Sequence, residues 1–170
     1  FPARHLLPMK KYRMGTKDGR THFTSIQTMR GCPWHCIFCA SEKLNTTRMS
    51  NRSPRSVVDE MKKVITDFPY ISHFYFVDDV MTLWDKDHIL KICEILIKEG
   101  PKITFEGSTR ANLVDDELVE HMVKAGLVRL SFGLETVDTE MRKTMKKKVP
   151  LEAYSEANKI CEKHGVEAMN

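Results

Sequence analysis

Three of the chain's five cysteines fall within eight residues, in Arg30-Gly31-Cys32-Pro33-Trp34-His35-Cys36-Ile37-Phe38-Cys39-Ala40, at the spacing C-x3-C-x2-C. A loop that tight can point three sulfurs at one inorganic centre, but not at two separate ones. Three thiolates fill three corners of a cube-shaped 4Fe–4S cluster and leave one iron without a protein ligand. Chemistry would happen at that open iron, by the logic that keeps an open position on a catalytic zinc. The neighbouring residues suit such a loop. Gly31 lets the chain turn just before the first ligand. Pro33 biases Cys32 toward an extended conformation. Trp34, Ile37 and Phe38 would shield the cluster from water, which tunes its potential. His35 reads as a supporting or solvent-facing group rather than a ligand.

Other metal chemistry fits less well. A structural zinc site wants four ligands, usually two C-x2-C pairs far apart in sequence, and no second pair is present. A Cys3His site would have to borrow His35, His73 or His88. A disulfide is disfavoured because Cys32, Cys36 and Cys39 are an odd set, and Cys93 and Cys161 sit on apolar helical faces as core residues.

The motif, with Phe38 before its last cysteine, resembles the signature of radical S-adenosylmethionine (SAM) enzymes. The form RGCPWHCIFCA, placed after the strand-like stretch His22–Gln27, is most similar to the branch that carries an upstream cobalamin-binding domain. The resemblance runs over the whole chain. It implies a 4Fe–4S cluster and SAM as cofactors, with cobalamin supplied by an upstream domain.

Composition sets the frame. A chain of 170 residues, 41% hydrophobic and 29% charged, is an ordinary globular sequence with room for one core. The net charge of +4 reads as too mild and dispersed to argue for nucleic acid or a membrane surface. No apolar run approaches the roughly 20 residues of a membrane helix, and no signal peptide is visible. The cysteines therefore read as reduced thiols in a cytoplasm. The ends look cut, so the chain reads as part of a longer protein. Residues 1–20, polar and basic with Pro2, Pro8, Gly15 and Gly19, read as a linker or an arm packed on the domain. In the resembled branch this is where a cobalamin domain hands over to the radical core, here residues 21–170.

Strands and helices alternate through that core. A first strand is expected at about His22–Met29, followed by the cysteine loop and a polar loop over residues 40–52. Ser53-Pro54 opens a helix with Val57, Met61, Val64, Ile65 and Phe68 on one face. A buried strand His73–Val77 ends at Asp78-Asp79. Asp85 is expected to cap the next helix, striped by Ile89, Ile92, Cys93, Leu96 and Ile97 and stopped by Gly100-Pro101. A third strand at about Ile103–Gly107 leads to Ser108-Thr109-Arg110. Asp115 begins a helix that Gly126 stops. A fourth strand, Leu127–Phe132, runs into Gly133-Leu134-Glu135. Helices near Asp138–Met145 and Leu151–His164 precede a fifth strand beginning at Val166.

This alternation predicts an α/β fold with a parallel sheet and helical crossovers. Periodicity alone leaves an open doubly wound sheet and a barrel both standing. The resemblance implies a partial, TIM-like (β/α) barrel cut after the start of its fifth strand.

In any parallel sheet, ligands collect at the C-terminal strand ends. That rule gathers Cys32, Cys36 and Cys39 with Asp78, Asp79, Ser108, Arg110, Ser131 and Glu135. The cluster's open iron can be chelated by an amino and a carboxylate group of a zwitterionic cofactor. Arg110 can pair with that carboxylate. Glu135 and one of Asp78 and Asp79 can accept from the ammonium or from ribose hydroxyls. By resemblance, Phe38 would lie near the adenine. Each of these residues also has a plainer reading: loop or cap acids at Asp78-Asp79, a surface arginine at Arg110, a helix N-terminal acid at Glu135. Many members of the resembled family carry Gly-Gly-Glu after the second strand, where this chain has Val77-Asp78-Asp79-Val80. Arg142-Lys143 with Lys146-Lys147-Lys148 reads as a solvated face.

The activity implied is reductive cleavage of SAM to a deoxyadenosyl radical that abstracts hydrogen from a small-molecule or lipid substrate. In the cobalamin-linked branch it often serves methyl transfer. A one-electron donor such as flavodoxin or ferredoxin would drive it, and nucleic acid is not expected as substrate. The alternatives are a methylthiotransferase acting on tRNA and a non-catalytic metal or electron-transfer module.

Overall fold

Alternate residues of a strand face opposite ways, and in this chain one set is apolar and the other polar. The structure, a computed structural model, describes residues 1–17, 19–45, 47–83 and 85–170. Asp18, in the stretch read as an arm, and Thr46, in the stretch read as a polar loop, lie outside the described residues, as does Trp84. The strands are β1 (Arg13–Thr16), β2 (Gly19–Ile26), β3 (Met29–Arg30), β4 (Ser50–Asn51), β5 (His73–Phe76), β6 (Thr104–Thr109), β7 (Leu127–Phe132) and β8 (Glu167–Met169). The helices are α1 (Ser41–Asn45), α2 (Pro54–Asp67), α3 (Asp87–Glu99), α4 (Asp116–Lys124), α5 (Thr139–Thr144) and α6 (Leu151–Lys163). Six strands form one sheet in the order β1-β2-β5-β6-β7-β8, parallel from β2 onward, while β1 pairs antiparallel with β2.

The helices bury one face of the sheet. Phe74, Phe76, Phe105, Leu130 and Phe132 point into a core closed by Val57, Met61, Ile92, Leu118, Met122 and Ala157. The rings of Phe76 and Phe105 stack across neighbouring strands, 4.8 Å between centroids. Cys93 and Cys161 are fully buried in this core, as expected. Burial pushes their thiols up to about 12 and about 11, which suits inert packing residues.

The other face is concave and polar. Arg129 on β7 pairs with Glu106 on β6 at 2.9 Å and with Glu167 on β8 at 2.8 Å. Its guanidinium also reaches the Gly15 carbonyl on β1 at 3.3 Å. Four strand-to-strand steps separate β1 from β7, on the order of 19 Å if the sheet were flat, so the sheet must curl. The result is a half-barrel, the partial TIM-like core that the resemblance implies.

Several caps follow the sequence. Ser53 accepts from the Ser56 N–H at 3.2 Å with Pro54 in the first helical position. Asp115 and Asp138 accept from the Leu118 and Met141 N–H groups at 3.0 and 2.7 Å. Other expectations are corrected. The α3 cap is Lys86, at φ +54°, not Asp85; its ammonium pairs with Asp115, which ties α3 to α4. Ile97 is half exposed rather than part of the buried stripe. Residues 40–52 are not all loop, since they hold α1 and β4.

The first strand runs over Gly19–Ile26 and stops short of Met29. The N–H groups of Thr28 and Met29 are taken by Asp78 instead of a ladder, and β3 then pairs with β4. The stretch read as a linker or arm instead supplies β1 and the start of β2 to the sheet, and the residues before β1 pack on the domain. Arg4 is buried, donates to Thr24 Oγ1 at 3.0 Å and pairs with buried Glu60 at 2.6 Å. Among the described residues, no helix is long and apolar enough to cross a membrane.

Candidate active site

The cysteine loop leaves β3 and returns through α1, and the two aspartates after β5 pin it at both ends. Asp78 Oδ1 accepts from the backbone N–H groups of Thr28 and Met29 at 2.7 and 3.0 Å. Its Oδ2 accepts from the Thr28 hydroxyl at 2.6 Å. Asp79 accepts from the Gly31 N–H at 3.2 Å with one oxygen and from Asn45 Nδ2 at 3.1 Å with the other. Gly31 sits at φ +99°, a conformation that a side chain would strain. Adjacent acids after a strand thus hold the chain just before the first cysteine and just after the last.

The strand ends meet in one cavity of about 450 Å³, lined by Cys32, Cys36, Cys39, Phe38, Asp79, Ser108, Arg110 and Glu135 among others. Seven of these eight side chains come from the sequence's strand-end rule; Phe38 comes from the resemblance. Asp78 is not brought there. It is nearly buried, all its acceptor contacts turn inward, and burial pushes its carboxyl above the usual carboxylate range against the pull of those hydrogen bonds.

Arg110 is the best-defined of the polar residues. Its guanidinium stacks 4.3 Å from the Trp34 ring, donates to the Lys148 carbonyl at 3.0 Å and lies 4.0 Å from Cys36 Sγ. Its Nε is buried with no hydrogen-bond partner among the described residues. Glu135 stands at φ +65°, rare for a residue with a Cβ and typical of functional sites. A Cβ on neighbouring Gly133 would fall 2.6 Å from Glu135 Oε1 and 3.0 Å from Lys147 Nζ. A larger residue at 133 would therefore push the Glu135 and Lys147 side-chain ends aside at the mouth of the cavity.

Lys147 was not visible in the sequence as a site residue. It reads there as one of a solvated run, yet its side chain is only 10% exposed. It lies 3.7 Å from Glu135 and 5.6 Å from the Phe38 ring centroid. Burial lowers its ammonium below the usual lysine range, and the Glu135 carboxylate opposes that shift. The turn that aims it inward follows Lys146 at φ +54°, for which the sequence gives no signal.

The donor set suits a sulfur-bound iron cluster. All three thiols are free and share the cavity. The Ser41 N–H donates to Cys39 Sγ at 3.4 Å, and Arg110 approaches Cys36; donors aimed at sulfur favour thiolate. Burial raises the Cys32 thiol, with the Cys39, Asp79 and Cys36 charges adding to it, so a metal would have to displace that proton. Among the described residues, no histidine lines the cavity. His35 is exposed beside Glu42, and His73 is buried against Thr104. Among the described residues, no group of three or more His, Cys, Asp or Glu side chains is gathered for a single metal ion.

The Radical SAM superfamily profile matches residues 26–170. The chain belongs to the radical SAM superfamily. Membership implies a 4Fe–4S cluster and SAM as the cofactors of this core. An uncharacterised methyltransferase of Pyrococcus horikoshii is 30% identical over 170 residues, 99% of this chain and 36% of that protein. Cytidylyl-2-hydroxyethylphosphonate methyltransferase of Streptomyces wedmorensis is 28% identical over 178 residues, 98% of this chain and 32% of that protein. The radical SAM core thus spans about a third of these relatives' length. Among solved structures, the radical SAM methyltransferase TsrM of Kitasatospora setae, with cobalamin and a [4Fe–4S] cluster bound, shares the fold at TM-score 0.77. It is 18% identical, over 87% of this chain and 28% of that one.

Proposed function

We propose that this chain is the catalytic core of a cobalamin-dependent radical SAM enzyme that methylates an unactivated carbon of a small-molecule or lipid substrate. The observation that carries the reading is the cavity in which three free thiols meet one guanidinium, two carboxylates and the largely buried Lys147 ammonium. Relatives named as methyltransferases support the outcome, and cobalamin in the TsrM structure supports its second cofactor. Residues 1–20 would follow a cobalamin-binding domain in the full protein. The one-electron donor would be a protein such as flavodoxin or ferredoxin, in the reducing cytoplasm that free thiols suit.

A bound cluster would supply the one-electron reduction that cleaves the SAM sulfonium C–S bond. Cys32, Cys36 and Cys39 would hold three of its irons. Arg110 would take the SAM carboxylate, its planar fork already oriented by Trp34 and the Lys148 carbonyl. Asp79 and Glu135 each retain acceptor capacity at the cavity and would receive the ammonium or ribose hydroxyls. Ser108 would line the nucleoside's path and Phe38 would pack beside the adenine. Asp78 acts from behind, by fixing the loop that carries the sulfurs. Lys147 would close the mouth against water, which strengthens every charge contact inside.

The test uses the full-length protein, reconstituted without oxygen and given cobalamin, SAM and a reductant. The reading expects both 5′-deoxyadenosine and S-adenosylhomocysteine to be released. Deoxyadenosine alone would retain the radical chemistry and remove the methyl transfer. Release of neither would overturn the reading.

A further inference from the structure

A local excess of positive charge lies on α5 and the turn after it. The chain's 27 Lys and Arg exceed its 23 Asp and Glu by four. Residues 139–148 alone hold five cations (Arg142, Lys143, Lys146, Lys147, Lys148) against one acid, Glu140. The remaining residues balance at 22 and 22 by subtraction from those totals. Residues 1–20 carry a comparable excess, six Lys and Arg against Asp18, so what singles out α5 and the turn after it is where they lie.

The structure places that segment against the cysteine loop. The Ile37 N–H donates to the Met145 carbonyl at 3.2 Å, and Cys36 Sγ faces the Lys146 carbonyl at 3.9 Å. Two of the cations turn inward. Arg142 is buried and donates to the Leu134 and Thr136 carbonyls, and Lys147 enters the cavity. Lys143, Lys146 and Lys148 stay exposed around an open groove of about 640 Å³. Beside them Ile37 and Met141 are 60% and 54% exposed. Exposed apolar residues beside an excess of one charge are the composition of a protein-docking patch, and the acids here are Glu140, paired with Lys143 at 2.7 Å, and Glu152 at the groove.

We propose that this patch receives an acidic one-electron carrier protein, whose electron enters the cluster through the Cys36 side of the loop. The proposal rests on the radical SAM reading above. One electron leaves the reduced carrier and enters the oxidised cluster; no bond forms or breaks. Three outward lysines suffice, because electron-transfer encounters are small, brief and steered by charge. An RNA backbone also seeks cations. The patch's contact with a cluster ligand and its exposed apolar residues favour the carrier.

The test uses the full-length protein with its cluster, comparing Lys143→Glu/Lys146→Glu with the charge-keeping pair Lys143→Arg/Lys146→Arg. Reduction is followed by bleaching of the iron–sulfur absorption, driven either by reduced flavodoxin or by reduced methyl viologen, a small cation. The flavodoxin-driven rate should fall about tenfold or more in the Glu variant, stay near wild type in the Arg variant, and drop steeply between about 0.05 and about 0.3 M salt. The viologen-driven rate should hold in all three. A second readout needs no cluster: the affinity of the cluster-free protein for oxidised flavodoxin, by calorimetry, should fall in the Glu variant alone. If no cluster can be reconstituted, the radical SAM reading fails, while this binding still decides the docking. Wild-type rate and affinity in the Glu variant would overturn the proposal. So would an equal loss with both reductants, or salt-sensitive binding to a tRNA pool in place of flavodoxin.

Discussion

Replacing Asp78 separates a residue that builds the cysteine loop from one that touches cofactor. Its carboxylate accepts from two backbone N–H groups and one hydroxyl, and Thr28 and Met29 are 0% and 1% exposed. Water cannot take over those contacts. Asp78→Ala leaves two buried N–H donors unmet at about 1–3 kcal/mol each, for a loss of about 4 kcal/mol in all. Asp78→Asn keeps the oxygen that serves both N–H groups, and the Thr28 hydroxyl can reverse to accept from the new amide. Its cost should stay near or below about 1 kcal/mol. The pH dependence has a definite sign. Burial raises the folded-state pKa of Asp78 above its unfolded value. Its contribution is therefore full in acid, below the unfolded pKa, and lost as pH rises through the folded pKa. The wild type should gain on Asp78→Asn as pH falls from neutrality toward about 4. Urea unfolding of the two variants and the wild type, compared by midpoint at constant slope, measures all of this. Equal damage from Asn and Ala, or an Ala variant within about 1 kcal/mol of wild type, would refute the reasoning.

Glu60→Ala should cost about 3 kcal/mol and expose residues 1–12 to protease, because Glu60 pairs with Arg4 at 2.6 Å and Arg52 at 2.7 Å from a buried position. Urea midpoints and cleavage rates check it. Gly126→Ala should cost about 3 kcal/mol or more by the same unfolding assay, since φ is +112° and a Cβ would meet the Ile103 carbonyl oxygen at 2.2 Å. Gly133→Ala should behave in the opposite way. The new Cβ meets only the movable ends of Glu135 and Lys147, so the fold should lose less than about 1 kcal/mol while calorimetry shows SAM binding weakened about tenfold, equivalent to about 1.4 kcal/mol.

The sequence disclosed most where a single physical rule governs. Leu127–Phe132 is mostly apolar, bounded by Gly126 and Gly133, and forms the strand with those bounds. Ser53-Pro54 and Asp115 carry their own capping chemistry. The cysteine spacing and the strand-end rule together assembled most of the cavity. Sequence alone failed where a side chain's direction depends on distant packing. Asp78 and Asp79 look alike in the chain, and only the arrival of Thr28 beneath one of them turns it inward. Lys147 differs from Lys146 and Lys148 only through a left-handed turn. The strand β1 has few apolar residues and is held by the β2 ladder and by Arg129, a partner 114 residues from Gly15.

The most direct measurement is the release of 5′-deoxyadenosine from SAM by the full-length protein after anaerobic loading with iron and sulfide. The account predicts an iron–sulfur absorption band, deoxyadenosine on reduction, and loss of both in Cys36→Ala. Zinc in place of iron, or a loaded and reduced cluster that leaves SAM intact, would contradict it.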